Sequence, residues 1–424
     1  MKKLLILFLA LLLLIPLALP SYAAAPEANE AEEALLYCFH TDSVLFTKNA
    51  DKRIAHGNTA QLMTSLLTLE AYPDLMASVT LTEDLLPGWY APGDYRTLAD
   101  YGFKKGAEVP VKDLLAAMVI ENANCASLLL ASLIAGSKAE FVNLMNARAA
   151  ELGMTNTVYK NPTGDDAEGA YTTANDLLIL AKLLYHNPEF MALASASSYL
   201  LIAKNSRIYT RNYFLGKWYT DAYLYPNADG MKAGYTDEAE NTLVATATES
   251  DGYTYLAIIL GGKEINFQNT SYALAKSLFR FGSTSFSYRE VLSSAKLVTT
   301  LSVNGGDGAD KVPLFPKETV RAYLPKTIDD TLLTIDYHVI RESIDAPFEK
   351  GTVVGEITIY YDQNVIGKTE LVTGNGAKRA QNATLKDRLG TLVKPILIVT
   401  ALAIALVLVR YALTKLQNKK NPKE

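Results

Sequence analysis

The chain has 424 residues, 49% of them hydrophobic and 20% charged, with a formal net charge of −5. So mild a charge, with no basic block outside the C-terminal tail, excludes a nucleic-acid binder held by phosphate contacts. The length suffices for one large domain plus a small one.

Lys2 and Lys3 precede the apolar run Leu4 to Leu19, and the small residues Ser21 to Ala25 follow. That order reads as a secretory signal peptide over residues 1–23, cleaved near Ala23 or Ala25. An uncleaved anchor is the alternative. Two cysteines, Cys38 and Cys125, exclude a disulfide framework and leave a single bridge open. His40, His56, His186 and His338 are scattered without metal-ligand spacing, so neither metal nor cofactor is expected.

Ala34 to Phe39 and Ser43 to Phe46 read as two strands about a turn at His40-Thr41-Asp42. A helix is predicted from near Asn58 to just before Pro73. Its apolar face, Leu62, Met63, Leu66, Leu67 and Leu69, is broad enough to imply burial inside a domain. Pro110 opens a second helix, Val111 to Val119. The chain breaks at Glu121-Asn122-Ala123-Asn124 and resumes as helix from Cys125 to Ala135, with Gly136 as the stop. Ser137 with Glu140 reads as a capping box for a helix ending at Gly153. A loop at Asn161-Pro162-Thr163-Gly164, a helix over Thr172 to Leu184, strands at Thr242 to Thr246 and Thr254 to Leu260, and a helix over Phe267 to Phe281 follow.

From Ser287 the pattern becomes strand-rich. Val298 to Val303 leads into the turn residues Asn304-Gly305-Gly306, and Ile357 and Ile359 alternate with Thr358 and Tyr360 before a turn at Asp362-Gln363-Asn364. Residues 288–373 are therefore read as a small β domain and 374–390 as a polar linker. Residues 391–413 hold an apolar run whose centre, Pro395 to Val409, lies between Lys394 and Arg410. That is near the ~20 residues a spanning helix needs. Lys415, Lys419, Lys420 and Lys423 make residues 414–424 a basic tail, and with the signal peptide this places the body outside and the tail inside the membrane.

Three stretches carry the chemistry. They are Gly57-Asn58-Thr59-Ala60-Gln61-Leu62-Met63-Thr64, Asn122-Ala123-Asn124 and Lys232-Ala233-Gly234. They stand where a D-alanyl-D-alanine carboxypeptidase reads Ser-x-x-Lys, Ser-x-Asn and Lys-Thr-Gly. Asn49-Ala50-Asp51-Lys52-Arg53, Asn161-Pro162-x-Gly164, Thr172-Thr173-Ala174-x-Asp176 and Ala228 to Thr236 resemble further parts of that family, which includes the low-molecular-weight penicillin-binding proteins. The resemblance covers almost the whole chain. It implies an α/β (α+β) fold over residues 24–287, the serine β-lactamase and DD-peptidase fold, with an antiparallel sheet flanked by helices. It also implies stem peptides of peptidoglycan as ligands.

The family's nucleophile is a serine whose base is a lysine three residues on; a serine hydroxyl is weak until such a base activates it. Here Asn58 and Gln61 stand at those positions, and neither amide attacks a peptide bond or titrates. Their spacing lets them bond to each other, and Asn58 suits a helix N-cap. Asn122 lacks the family hydroxyl, while Asn124 is retained. Ala233 lacks the family threonine's hydroxyl beside Gly234, and Lys232 reads either as a surviving carboxylate contact or as an exposed strand lysine. As substitute nucleophiles, Thr59 faces about 100° away around the helix, and Cys125, next to Asn124, would need a lowered pKa and a base, for which Lys232 is the candidate. The literal Ser293-Ser294-Ala295-Lys296 has neither partner motif after it. Three functions follow from this conflict of scaffold and chemistry. The chain is an inactive, membrane-anchored family member that binds stem peptides or a cell-wall enzyme, a working serine carboxypeptidase, or a structural envelope protein with a closed groove.

Overall fold

Glu33–Cys38 (β1) and Ser43–Lys48 (β2) form an antiparallel hairpin, and β1 is buried at every position. The computed structural model describes residues 25–83, 85, 98–217, 220–308, 310–380 and 383–420. The signal peptide expected over residues 1–23 lies outside the described residues. The chain divides into two compact units, one up to Phe286 and one from Ser287.

In the first unit the helices are Ala60–Ala71 (α1), Val111–Glu121 (α2), Asn124–Ala135 (α3), Lys138–Glu151 (α4), Ala174–Tyr185 (α5) and Pro188–Ala194 (α6). Strands Ala228–Thr236 (β3), Glu240–Thr248 (β4) and Thr254–Gly262 (β5) follow, then helix Thr270–Ser285 (α7). The sheet runs β2-β1-β5-β4-β3, antiparallel throughout, so β3 is an edge strand. Alternation along the strands feeds two cores. Leu35, Tyr37, Val244, Leu256 and Ile258 meet α1 to α6 on one face, while Leu36, Leu243, Ala257 and Ile259 meet Leu274, Leu278 and Phe279 of α7 on the other. This is the antiparallel sheet between helices that the resemblance implied.

Helix α1 is sunk among its neighbours, as its wide apolar face predicted. Leu62 and Met63 are fully buried, contributing about 2 kcal/mol each. Its buried hydroxyls are satisfied by carbonyls: Thr64 donates to Pro162 O (2.8 Å), Ser65 to Gln61 O (2.7 Å) and Thr68 to Thr64 O (2.7 Å). Ser137 caps α4 by accepting from the Glu140 N–H. Two predicted helix starts are too early. Thr172 bridges to Ile54 and Thr173 caps α5, which begins at Ala174. Phe267 belongs to the hairpin Glu264–Ile265/Gln268–Asn269, whose turn residues Asn266 and Phe267 both have positive φ, and α7 begins at Thr270 with Asn269 as its cap.

The second unit contains a six-stranded sheet. Its strands are Thr299–Asn304 (β6), Lys311–Pro316 (β7), Leu333–Val339 (β8), Ser343–Asp345 (β9), Val353–Tyr361 (β10) and Asn364–Thr373 (β11), in the order β8-β10-β11-β7-β6-β9. Leu301, Leu314, Ile357, Ile359 and Leu371 fill its core. The segment read as a linker over residues 374–390 carries structure at both ends. Ala377 and Arg379 bridge back to Phe348 and Gly306, and a helix over Ala383–Lys420 (α8) begins before its close. Within α8, Ile396–Leu413 is long and apolar enough to cross a membrane.

Candidate functional site

Positions 58, 122, 124, 233 and 234, far apart in sequence, line one cleft of about 640 Å³ beside edge strand β3. Among the described residues, no side chain fills this cleft. Asn58 sits in the 3₁₀ turn Gly57–Thr59 that leads into α1. It does not cap α1: the cap position is Thr59, whose side chain makes no capping bond. Instead the Asn58 Oδ1 reaches across to β3 and accepts from the Tyr235 N–H at 3.3 Å. Gly234 makes this possible, because a Cβ there would lie 2.4 Å from that Oδ1.

Gln61 does not pair with Asn58 either. Its Nε2 donates to Asn124 Oδ1 at 2.9 Å, and Asn124 Nδ2 donates to Asp165 Oδ1 at 2.8 Å. Gln61 is 1% exposed, and its Oε1 has no hydrogen-bond partner among the described residues. Where a helix-borne base would stand there is thus a buried neutral amide in a chain ending on a carboxylate.

The break between α2 and α3 is made by Asn122, which takes the left-handed conformation (φ 60°) that closes α2 and that asparagine tolerates. Its Nδ2 donates to Ala233 O at 2.9 Å. Lys232 is neither exposed nor turned to the cleft. It is 2% exposed, and its Nζ donates to Met118 O (2.7 Å) and Val119 O (3.3 Å) in the last turn of α2. Burial pushes its ammonium well below the usual range; the helix C-terminus, whose carbonyls accept from it, favours the charged form.

The loop after Pro162 supplies one wall. Asn161 Oδ1 accepts from the Thr163 hydroxyl (2.9 Å) and the Gly164 N–H (2.7 Å), and Asn161 Nδ2 donates to Asp165 O (2.8 Å). Gly164 has φ +89°, and a Cβ on it would lie 1.8 Å from Gly57 O, so only glycine lets the loop seat on the turn that carries Asn58. Asp166 accepts from the Thr236 hydroxyl at 2.5 Å and from the Glu238 N–H at 3.0 Å. Glu121 and Arg211 face each other at 3.8 Å. Glu121, Asp165, Asp166 and Asp237 against Arg211 make the lining acidic. Sequence reasoning missed these residues; Asp165 and Asp166 directly follow the quoted Asn-Pro-x-Gly, which was the available signal.

The substitute nucleophiles are elsewhere. Thr59 is fully buried and donates to His56 O at 2.6 Å. Cys125 is buried and does not line the cleft, and neither cysteine forms a disulfide. Ser293 to Lys296 is a turn in the second unit, with the Lys296 N–H on Ser293 O. Among the described residues lining the cleft, the one aliphatic hydroxyl is that of Thr236, already donated to Asp166. No group of three or more His, Cys, Asp or Glu placed to hold a metal occurs among the described residues.

Comparison with known proteins returns the same frame. A family model for D-alanyl-D-alanine carboxypeptidase matches residues 21–264, and one for the penicillin-binding protein 5 C-terminal domain matches residues 286–379. The chain is similar to D-alanyl-D-alanine carboxypeptidase DacC of Escherichia coli (31% identical, covering 83% of this chain and 87% of that one). It is also similar to DacF of Bacillus subtilis (28%, covering 85% and 89%). Its fold is that of penicillin-binding protein 5 from Haemophilus influenzae, with a TM-score of 0.59 at 24% identity over 84% of this chain and 100% of that one.

Proposed function

The chain belongs to the D-alanyl-D-alanine carboxypeptidase family, and on that premise we propose that it is a membrane-anchored member without catalytic turnover, whose cleft binds peptidoglycan stem peptides or a cell-wall enzyme. The observation that carries this reading is the pair Asn58 and Gln61. Acyl transfer needs an oxygen or sulfur nucleophile next to a group that takes its proton. At position 58 stands an amide whose oxygen accepts from Tyr235, and at position 61 an amide that donates to Asn124. Neither can form an acyl-enzyme, and neither can hold the proton.

Binding is less affected than turnover. The cleft remains about 640 Å³ in volume, which weighs against a closed structural groove. Asn124 still lines it, whereas Lys232 is spent on helix carbonyls and leaves Arg211 as the cation in the lining. The signal-peptide pattern of residues 1–23 and the apolar segment of α8 support a body outside the cytoplasmic membrane with a single C-terminal anchor.

The test is intact mass of the full chain in detergent after incubation with benzylpenicillin, alongside binding of muropeptides. No mass gain with retained binding is expected. A stoichiometric acyl adduct overturns the inactive reading and favours the working carboxypeptidase that family membership alone suggests.

A further inference from the structure

An edge strand leaves a row of N–H and C=O groups on one side, which an extended peptide can fill by adding as a further strand. Strand β3 is such an edge, and it borders the cleft. Its pairing with β4 runs through Lys232↔Val244, Gly234↔Thr242 and Thr236↔Glu240. Groups two residues apart point the same way along a strand. Ala233 and Tyr235 are such a pair, each turning an N–H and a C=O outward, and two of those four groups carry a side-chain partner. Ala233 O accepts from Asn122 Nδ2 at 2.9 Å, and the Tyr235 N–H donates to Asn58 Oδ1 at 3.3 Å.

The polarity of the two contacts is the informative part. A peptide pairing here would offer an N–H to Ala233 O and a C=O to the Tyr235 N–H. Asn122 offers the N–H and Asn58 offers the C=O, so two side-chain amides take the place of one stretch of backbone. Asn58 is held there, 8% exposed and flat against Gly234. A serine oxygen, one bond from Cβ, would not reproduce the amide's carbonyl.

We propose that Asn58 and Asn122 are specificity-determining residues that weaken strand pairing of an extended peptide at β3 by occupying the Tyr235 N–H and Ala233 O in its place. This deepens the binding reading above and rests on the cleft being a ligand site. The substitution at position 58 then has two effects: it removes a nucleophile and it occupies a recognition edge. A ligand of the native chain is held by the side chains of the cleft, such as Arg211, Asp166 and Asn124, and strand pairing requires Asn58 to move.

The experiment uses the full chain in detergent and fluorescence anisotropy with a fluorescein-labelled peptide ending in D-Ala-D-Ala. Asn58→Ala frees the Tyr235 N–H. Asn122→Gly frees Ala233 O while glycine keeps the left-handed backbone. Each is expected to bind about fivefold tighter than wild type, the value of one hydrogen bond released from competition. The gain in Asn122→Gly is expected to vanish for a peptide whose pairing amide is replaced by an ester, which has no N–H. Either variant that keeps the wild-type melting temperature reads the same edge, so failure of one to fold leaves the other decisive. Folded variants that bind no tighter overturn the proposal. A penicillin adduct on the wild-type chain would instead sink the inactive reading, and it is measured separately.

Discussion

Restoring a serine at position 58 and a lysine at position 61 tests whether the cleft lacks only side chains. Asn58→Ser deletes the contact to the Tyr235 N–H, at a cost of about 1 kcal/mol. Gln61→Lys puts an amine at a position 1% exposed, where Asn124 Oδ1, now 2.9 Å from the glutamine nitrogen, is the ready acceptor. Burial there favours the neutral amine, as it does at Lys232, and that is the form able to take a proton from the introduced serine. Each single variant still lacks nucleophile or base. Loss of a central member of such a set costs on the order of a millionfold in turnover, or about 8 kcal/mol at ~1.4 kcal/mol per tenfold. Neither single variant should therefore gain mass from benzylpenicillin, whereas the double variant should form an adduct that peptide mapping places at position 58. Asn122 and Ala233 still lack the family hydroxyls, so acylation should be slow. An adduct on the wild-type chain refutes the reasoning, as does a double variant with near-wild-type melting temperature and no adduct.

The scaffold makes further predictions. Gly164→Ala forces a Cβ to 1.8 Å from Gly57 O at φ +89° and should destabilise the fold by about 3 kcal/mol or more in urea unfolding. Lys232→Met leaves two carbonyls of the last turn of α2 without their donor and should cost about 2 kcal/mol by the same assay. Stability against pH reads two buried groups. Burial raises the Glu33 carboxyl from 4.5 to about 8, although the Ala174 N–H and Lys52 favour its anion; its contribution is whole below pH 4.5 and is lost as pH rises to 8. Burial lowers His56 from 6.5 to about 4, so its contribution is present above pH 6.5 and is lost as pH falls to 4. The two slopes, at most about 1.4 kcal/mol per pH unit each, oppose each other between pH 4.5 and 6.5; from 6.5 to 8 Glu33 lowers stability as pH rises, against the opposite pull of the buried Lys232. Glu33→Gln should abolish that fall; an unchanged slope would show that Glu33 is not its source.

Much of the fold was legible because local chemistry marks it. Gly136 and the Ser137 cap punctuate the helices around them, and the run from Leu62 to Leu69 announced a buried α1. The helix expected from Phe267 failed at its start, because Asn266 and Phe267 are held at positive φ in a hairpin that pairs Glu264 with Asn269. Local pattern does not report such pairing. The sequence alone determined that no serine–lysine pair stands at positions 58 and 61, since residue identity decides whether a group can attack or titrate. What those amides do instead is decided by tertiary structure. Asn58 meets a backbone group from Tyr235, Gln61 meets Asn124, and Lys232 meets carbonyls of α2. A polar side chain buried in a fold takes whichever partner the rest of the chain brings within 3 Å or so, and here those partners come from as many as 177 positions away.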